Sequence, residues 1–187
     1  NADAQTSVMN VAGQKRGRAR NPHTFISITQ SIQQINYNAK RLGELDPKNK
    51  AFYASNARQY TNKLRNIKIQ ELRKVRGLNL SNIKVATTHA GYDYLLNEFG
   101  LTVSLVIEPQ HAQAPNASDL KYAIDKIKRN KIAVLFDEEG GNPRNAITLH
   151  KATGIKIAHL SHMTRGNYTA DAFERFIRHD LSNVATT

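Results

Sequence analysis

The strongest constraint on the fold is a change of periodicity at Gly77. Before it, apolar residues recur at three- and four-residue steps, the spacing of one helix face; after it, short β-rich runs alternate with helical segments. From Ser27, the residues Ile28, Ile32, Ile35, Ala39, Leu42 and Leu45 predict an amphipathic helix that stops near Asp46-Pro47. Beyond Pro47, a stripe of Tyr53, Ala57, Tyr60, Leu64 and Ile67 is extended by Leu72 and Val75 to Gly77. Unbroken from Pro47 to Arg76, that helix is about 45 Å long at ~1.5 Å per residue, the length of a strut rather than of a local connection.

The alternation after Gly77 is the pattern of a parallel sheet with crossover helices. Strands are expected over Ile83–Thr87, Leu101–Glu108, Ile132–Asp137 and Ile155–Ser161, and helices over Tyr92–Phe99, Asp119–Asn130, Pro143–Thr153 and Ala170–Val184. Asn116 or Ser118 caps the second of these helices, Pro143 suits a first turn, and Gly154 is a stop. The expected class is α/β: one lobe with a four-stranded, mostly parallel sheet flanked by helices, preceded by two long helices. Three regions follow: 1–22 without periodicity, 23–77 helical, and 78–187 the α/β lobe.

Composition narrows the function. A formal charge of +12 invites nucleic acid as a partner. The charges, however, fall in one early run (Lys15, Arg16, Arg18, Arg20) and at the end of a predicted helix (Lys63, Arg65, Lys68, Arg73, Lys74, Arg76), where cations suit the helix dipole. No aromatic-rich binding strand or recognition helix accompanies them, so specific nucleic-acid binding is not expected. The absence of cysteine excludes disulfides and thiolate metal sites, leaving imidazole, carboxylate or water for any metal. No run reaches the roughly 18 apolar residues that span a bilayer. No Gly-rich phosphate loop, serine elbow or cysteine nucleophile is present, so an enzyme is not expected.

Ligands of open α/β sheets gather at the carboxyl ends of the strands. His89 follows the first expected strand, Asp137, Glu138 and Glu139 the third, and Ser161 and His162 the fourth; His23 precedes the first long helix. Neutral imidazole is a good ligand for zinc and related ions. Each residue also has a structural reading: His89 as a helix cap, His23 as a turn residue beside Pro22, and the acidic trio as cleft lining or a cap. His111, His150, His159 and His179 carry no motif, and the alternation around His159 reads as a buried, hydrogen-bonded strand residue.

Several segments, in order, resemble the cluster A-I metal-binding receptors of ABC importers. Asn21-Pro22-His23-Thr24-Phe25 is similar to that family's Asp-Pro-His-x-Trp. Glu44-Leu45-Asp46-Pro47-Lys48-Asn49 resembles the turn into its long backbone helix, and Thr87-Thr88-His89-Ala90-Gly91-Tyr92-Asp93-Tyr94 its His-x-x-aromatic-x-Tyr segment. Phe136-Asp137-Glu138 and Thr153-Gly154-Ile155-Lys156-Ile157 match later motifs. The resemblance implies two α/β lobes joined by a rigid helix, with a metal ion gripped between them by four ligands. His23 and His89 stand at the second and third ligand positions. At the fourth, an aspartate in the family, this chain has Ser161 followed by His162. Either His162 takes that place or metal binding is lost.

A histidine-rich set favours zinc over manganese. The resemblance further implies a membrane permease as partner and a periplasmic or extracellular location, with a lipid anchor on the full-length protein as one form of it. The first lobe and the first ligand are expected upstream of Asn1, so the face of the helix Ile28–Leu45 is expected to expose apolar surface and to support a homodimer. An adhesion or interaction protein on the same scaffold, with metal binding weakened or lost, is the alternative.

Overall fold

A computed structural model describes residues 20–108, 115–163 and 166–187. Helix α1 (Ile28–Leu45) starts where extended Ser27 turns its Oγ to accept the Gln30 N–H at 3.3 Å, and it ends at Asp46. Pro47–Asn49 then form a 3-10 turn, and α2 spans Lys50–Lys74. At 25 residues α2 is about 38 Å long, shorter than expected because the turn takes the first three residues and the helix ends at Lys74, with Val75 as its cap. Its buried residues Ala57, Thr61, Leu64, Ile67 and Glu71 follow the three- and four-residue spacing and pack on α1 and the lobe. The single carboxylate on that stripe, Glu71, is ion-paired with Lys74 and with Arg178.

The lobe alternates as expected: β1 (Lys84–His89), α3 (Asp93–Glu98), β2 (Thr102–Glu108), α4 (Ala117–Asn130), β3 (Val134–Glu138), α5 (Arg144–Thr153), β4 (Lys156–Leu160) and α6 (Ala172–Thr186). All strand pairs are parallel, in the order β2-β1-β3-β4. Asn116 and Asp119 form a reciprocal capping box at the start of α4. Gly154, at φ 72°, ends α5 in the left-handed region where glycine carries no Cβ penalty. Ahead of α3, Ala90–Tyr92 form a 3-10 turn, which takes Tyr92, the first residue of the predicted helix.

Side-chain alternation divides the core into two layers. Val85, Val134, Phe136, Ala158 and Leu160 face Leu64 and Ile67 of α2, Leu95 and Leu96 of α3, and Ile177 and Leu181 of α6. Ala86, Leu105 and Leu135 face Ala123 and Ile127 of α4 and Ala146 and Leu149 of α5. Ile26 and Ile28 belong to the first layer, which locks the start of α1 to the lobe. By contrast, Leu42, Leu45 and Phe52 at the far end of the helical pair are 46%, 75% and 61% exposed. Among the described residues no helix is long and apolar enough to cross a membrane.

One expectation is overturned. His159 is exposed, not buried: it shares a face with Ile157 on the edge strand β4, beyond the cover that partly buries Ile157. Its carbonyl accepts from Asn183 Nδ2 at 3.0 Å. The early basic run Lys15, Arg16, Arg18, and His111, lie outside the described residues.

Candidate metal centre

The strand order makes β1 and β3 neighbours whose chain continuations leave in opposite directions, β1 toward β2 and β3 toward β4. The carboxyl edge at such a divergence leaves an opening in the fold. His89 is the last residue of β1 and stands there. His162 lies two residues beyond β4, and His23 lies on the loop that enters α1. These three residues are brought together: their ligand atoms all lie within 4.8 Å of one another, and among the described residues they form the one group of three or more that fits a metal ion. Ring centroids are 4.8 Å apart for His23–His89 and for His89–His162, and 5.3 Å for His23–His162, with interplanar angles of 80°, 83° and 63°.

The rings are steeply inclined to one another rather than stacked. In a tetrahedral zinc site with Zn–N near 2.0–2.1 Å, the nitrogens are about 3.3 Å apart. The cluster therefore has to contract by up to about 1.5 Å to grip an ion of that size, a shift within reach of ring rotation. Three imidazoles leave one tetrahedral position for a further ligand.

The surroundings fix each ring. Asn21 Oδ1 accepts from the His23 backbone N–H at 3.0 Å and is 2.8 Å from His23 Nδ1. The Gly91 N–H donates to His89 Nδ1 at 3.1 Å, so His89 caps the 3-10 turn as its structural reading expects; that bond uses the ring's single lone pair, so the ring has to release Gly91 to act as a metal ligand. A Cβ on Gly91 would stand 2.8 Å from His89 Nδ1 and 3.0 Å from His162 Nε2. Phe25 forms an outer rim, 6.2 Å from the ring of His23 and 5.8 Å from that of His162. Beneath the cluster Tyr92 is fully buried, 6.4 Å from His89 and 6.2 Å from His162, and donates its hydroxyl to Leu160 O at 3.0 Å. Burial, and then the acids Glu138, Asp180, Asp137 and Glu139, hold its phenol far above the usual range, so it stays protonated.

Ser161 is turned to structure: its N–H donates to Asp180 Oδ1 at 2.8 Å, and its Oγ accepts the Met163 N–H at 3.2 Å. Asp180 is fully buried on α6; burial pushes its carboxyl up to about 7, against the pull of the Ser161 N–H and of His179. Of the acidic trio, Asp137 is buried and accepts from Thr88 Oγ1 at 2.8 Å, tying β3 to β1, while Glu139 faces His179 at 3.3 Å. None of the three joins the histidine cluster. His150 lies on α5 with Nδ1 2.7 Å from Ile155 O, and His179 lies on α6. Reading for ligands alone passes over Asn21 and Tyr92; Asn21 sits inside the Asn-Pro-His segment, and Tyr92 is an aromatic three positions after His89.

The sequence and the fold are similar to those of known proteins. The family model described as "ZnuA: Zinc-uptake complex component A periplasmic" matches residues 2–187. The chain is 22% identical over 167 residues to the metal ABC transporter substrate-binding lipoprotein SloC of Streptococcus mutans, covering 88% of this chain and 55% of that protein. It is 22% identical over 181 residues to the manganese ABC transporter substrate-binding lipoprotein PsaA of Streptococcus pneumoniae, covering 95% and 59%. The chain thus spans a little over half the length of these curated relatives. Among solved structures, FpvC of Pseudomonas aeruginosa in complex with Mn2+ superposes with a TM-score of 0.90 at 37% identity, over 98% of this chain and 68% of that one. The laminin-binding adhesin Lmb of Streptococcus agalactiae superposes with a TM-score of 0.79 at 25% identity, over 98% and 68%. With a family match across nearly the whole sequence, the chain belongs to the ZnuA family.

Proposed function

We propose that this chain is part of the solute-binding component of a divalent-metal ABC importer, that it holds the ion with His23, His89 and His162, and that it passes the ion to a membrane permease without chemistry. The observation that carries the reading is the convergence of three imidazoles from three separate parts of the fold, within 4.8 Å, in a family of metal-uptake receptors. An all-nitrogen set favours zinc over manganese, because borderline-soft imidazole suits zinc and hard oxygen suits manganese. The lipoprotein relatives support a periplasmic or extracellular location. The exposed apolar side chains Leu42, Leu45 and Phe52 support self-association through the helical pair.

Isothermal titration of the 187-residue chain with zinc and manganese tests the reading. Zinc is expected to bind more tightly, and each of His23→Ala, His89→Ala and His162→Ala to weaken it at least tenfold. Absence of binding by both ions in the micromolar range, or zinc affinity indifferent to all three substitutions, sinks it. The likeness to Lmb and the charge of +12 favour adhesion to an anionic partner as the second reading. That reading expects partner binding that falls steeply with salt and ignores chelator.

A further inference from the structure

We propose that Asn21 is a positioning residue of the histidine cluster, that it sets the tautomer of His23, and that it links that ring to Asp93 as a buried counter-charge. Asn21 is fully buried and Asp93 almost so. The Asn21 amide is used on both sides. Nδ2 lies 2.6 Å from Ala90 O and 3.0 Å from Asp93 Oδ2, while Oδ1 faces the His23 N–H at 3.0 Å and His23 Nδ1 at 2.8 Å. The Asn21 carbonyl takes the Tyr94 hydroxyl at 2.8 Å, which pins the backbone of the same residue.

The orientation of the amide follows from its neighbours. A backbone carbonyl and a carboxylate both accept, so only the NH2 group can face them. The reversed amide would set oxygen against oxygen at 2.6 and 3.0 Å and leave a buried N–H pair facing the His23 N–H. With Oδ1 fixed toward His23, Nδ1 must carry the proton, which puts the ring's lone pair on Nε2.

The consequence for a cation rests on the metal-binding reading above. The three-histidine group brings no negative charge of its own. A cation on His23 Nε2 makes the Nδ1–H a stronger donor, which tightens its bond to Oδ1, polarises the amide and tightens the amide's bond to Asp93. The carboxylate thus meets the ion's charge at two removes. Outer partners of this kind raise the basicity of the ligand, and their loss typically weakens metal affinity by about 10–100-fold.

The tautomer is independent of any ion and is read first. Long-range 15N–1H correlation spectra of the metal-free, 187-residue chain should show His23 protonated at Nδ1. A His23 protonated at Nε2 overturns the proposal, whatever the variants do. In N21L, His23 should relax to a mixture of tautomers, and zinc affinity should fall about 10–100-fold. In N21D at neutral pH two carboxylates oppose each other, and affinity should fall comparably. The exchange N21D/D93N restores one donor between the two side chains but leaves an oxygen against Ala90 O, and should recover part of the zinc affinity lost in N21D. Unchanged affinity in N21L, or an exchange no better than N21D while its melting temperature recovers, overturns the proposal. Failure of the unaltered chain to bind zinc refutes the metal-binding reading alone, since the metal-free spectrum still decides the tautomer.

Discussion

Glu98, at the end of α3, holds the start of α1 to the lobe, and removing it has a calculable effect. One of its oxygens accepts from Ser27 Oγ at 2.6 Å and from the Thr29 N–H at 2.7 Å, and the other lies 3.6 Å from Lys68 Nζ. The side chain is 5% exposed. A hydrogen bond to a charged group contributes about 1.5–3 kcal/mol net. Thr29 is exposed, so water replaces much of its bond; Ser27 is buried and loses its acceptor. The Lys68 pair, with Lys68 partly open to solvent, adds no more than about 0.5 kcal/mol. Glu98→Ala should therefore cost about 2–3 kcal/mol. Glu98→Gln, which keeps an oxygen but no charge, should cost about 1 kcal/mol. Urea unfolding followed by circular dichroism reads both as a shift in midpoint at constant slope. If Glu98→Ala costs less than Glu98→Gln, or if neither shifts the midpoint, the clamp does not exist. Because the loop with His23 leads directly into this junction, zinc affinity should fall with stability in Glu98→Ala.

Other consequences are nearer the site or the periphery. Gly91→Val crowds two of the three rings and should weaken zinc binding at least tenfold with little loss of melting temperature; equal zinc isotherms would show that the rings can move aside. Asp180 holds its proton up to about 7 in the folded chain and releases it near 3.8 when unfolded. Its contribution to stability is full below about pH 4 and is lost as pH rises through about 7, at up to ~1.4 kcal/mol per pH unit between them. Asp180→Asn, which retains an acceptor for the Ser161 N–H, should flatten that slope in denaturation midpoints measured from pH 5 to 8. Asn116→Ala removes one arm of the α4 capping box and should cost about 1 kcal/mol in the same assay.

Much of the fold was legible because periodicity reports which face is buried. The stripe Ala57, Leu64, Ile67 is read directly from helical spacing, and the strand Val134–Glu138 from a short β-rich run. Caps were legible for a local reason, since Asn116 and Gly154 act on atoms within a few residues of themselves. Strand order was not, because hydrophobic pattern is the same for any order of fully covered parallel strands. His159 was misread for a related reason: alternation tells which face a residue is on, not whether a helix covers that face at the sheet edge. His23, His89 and His162 were nominated by resemblance and by strand ends, while the role of Asn21 depends on Asp93, far along the chain, and on atom-level orientation that no spacing encodes.

The pairing of α1 with α2 has a mechanical consequence. Its root is fixed by Glu98 and by the buried Ile26 and Ile28, while Leu42 and Leu45 are exposed at the other end, so α1, packed along α2, forms one side of an arm about 27 Å long. A tilt of only about 2° at the root carries the tip through about 1 Å over that arm. His23 stands just before that root, so a rearrangement of the imidazoles large enough to tilt the packed pair would displace the apolar surface at its far end.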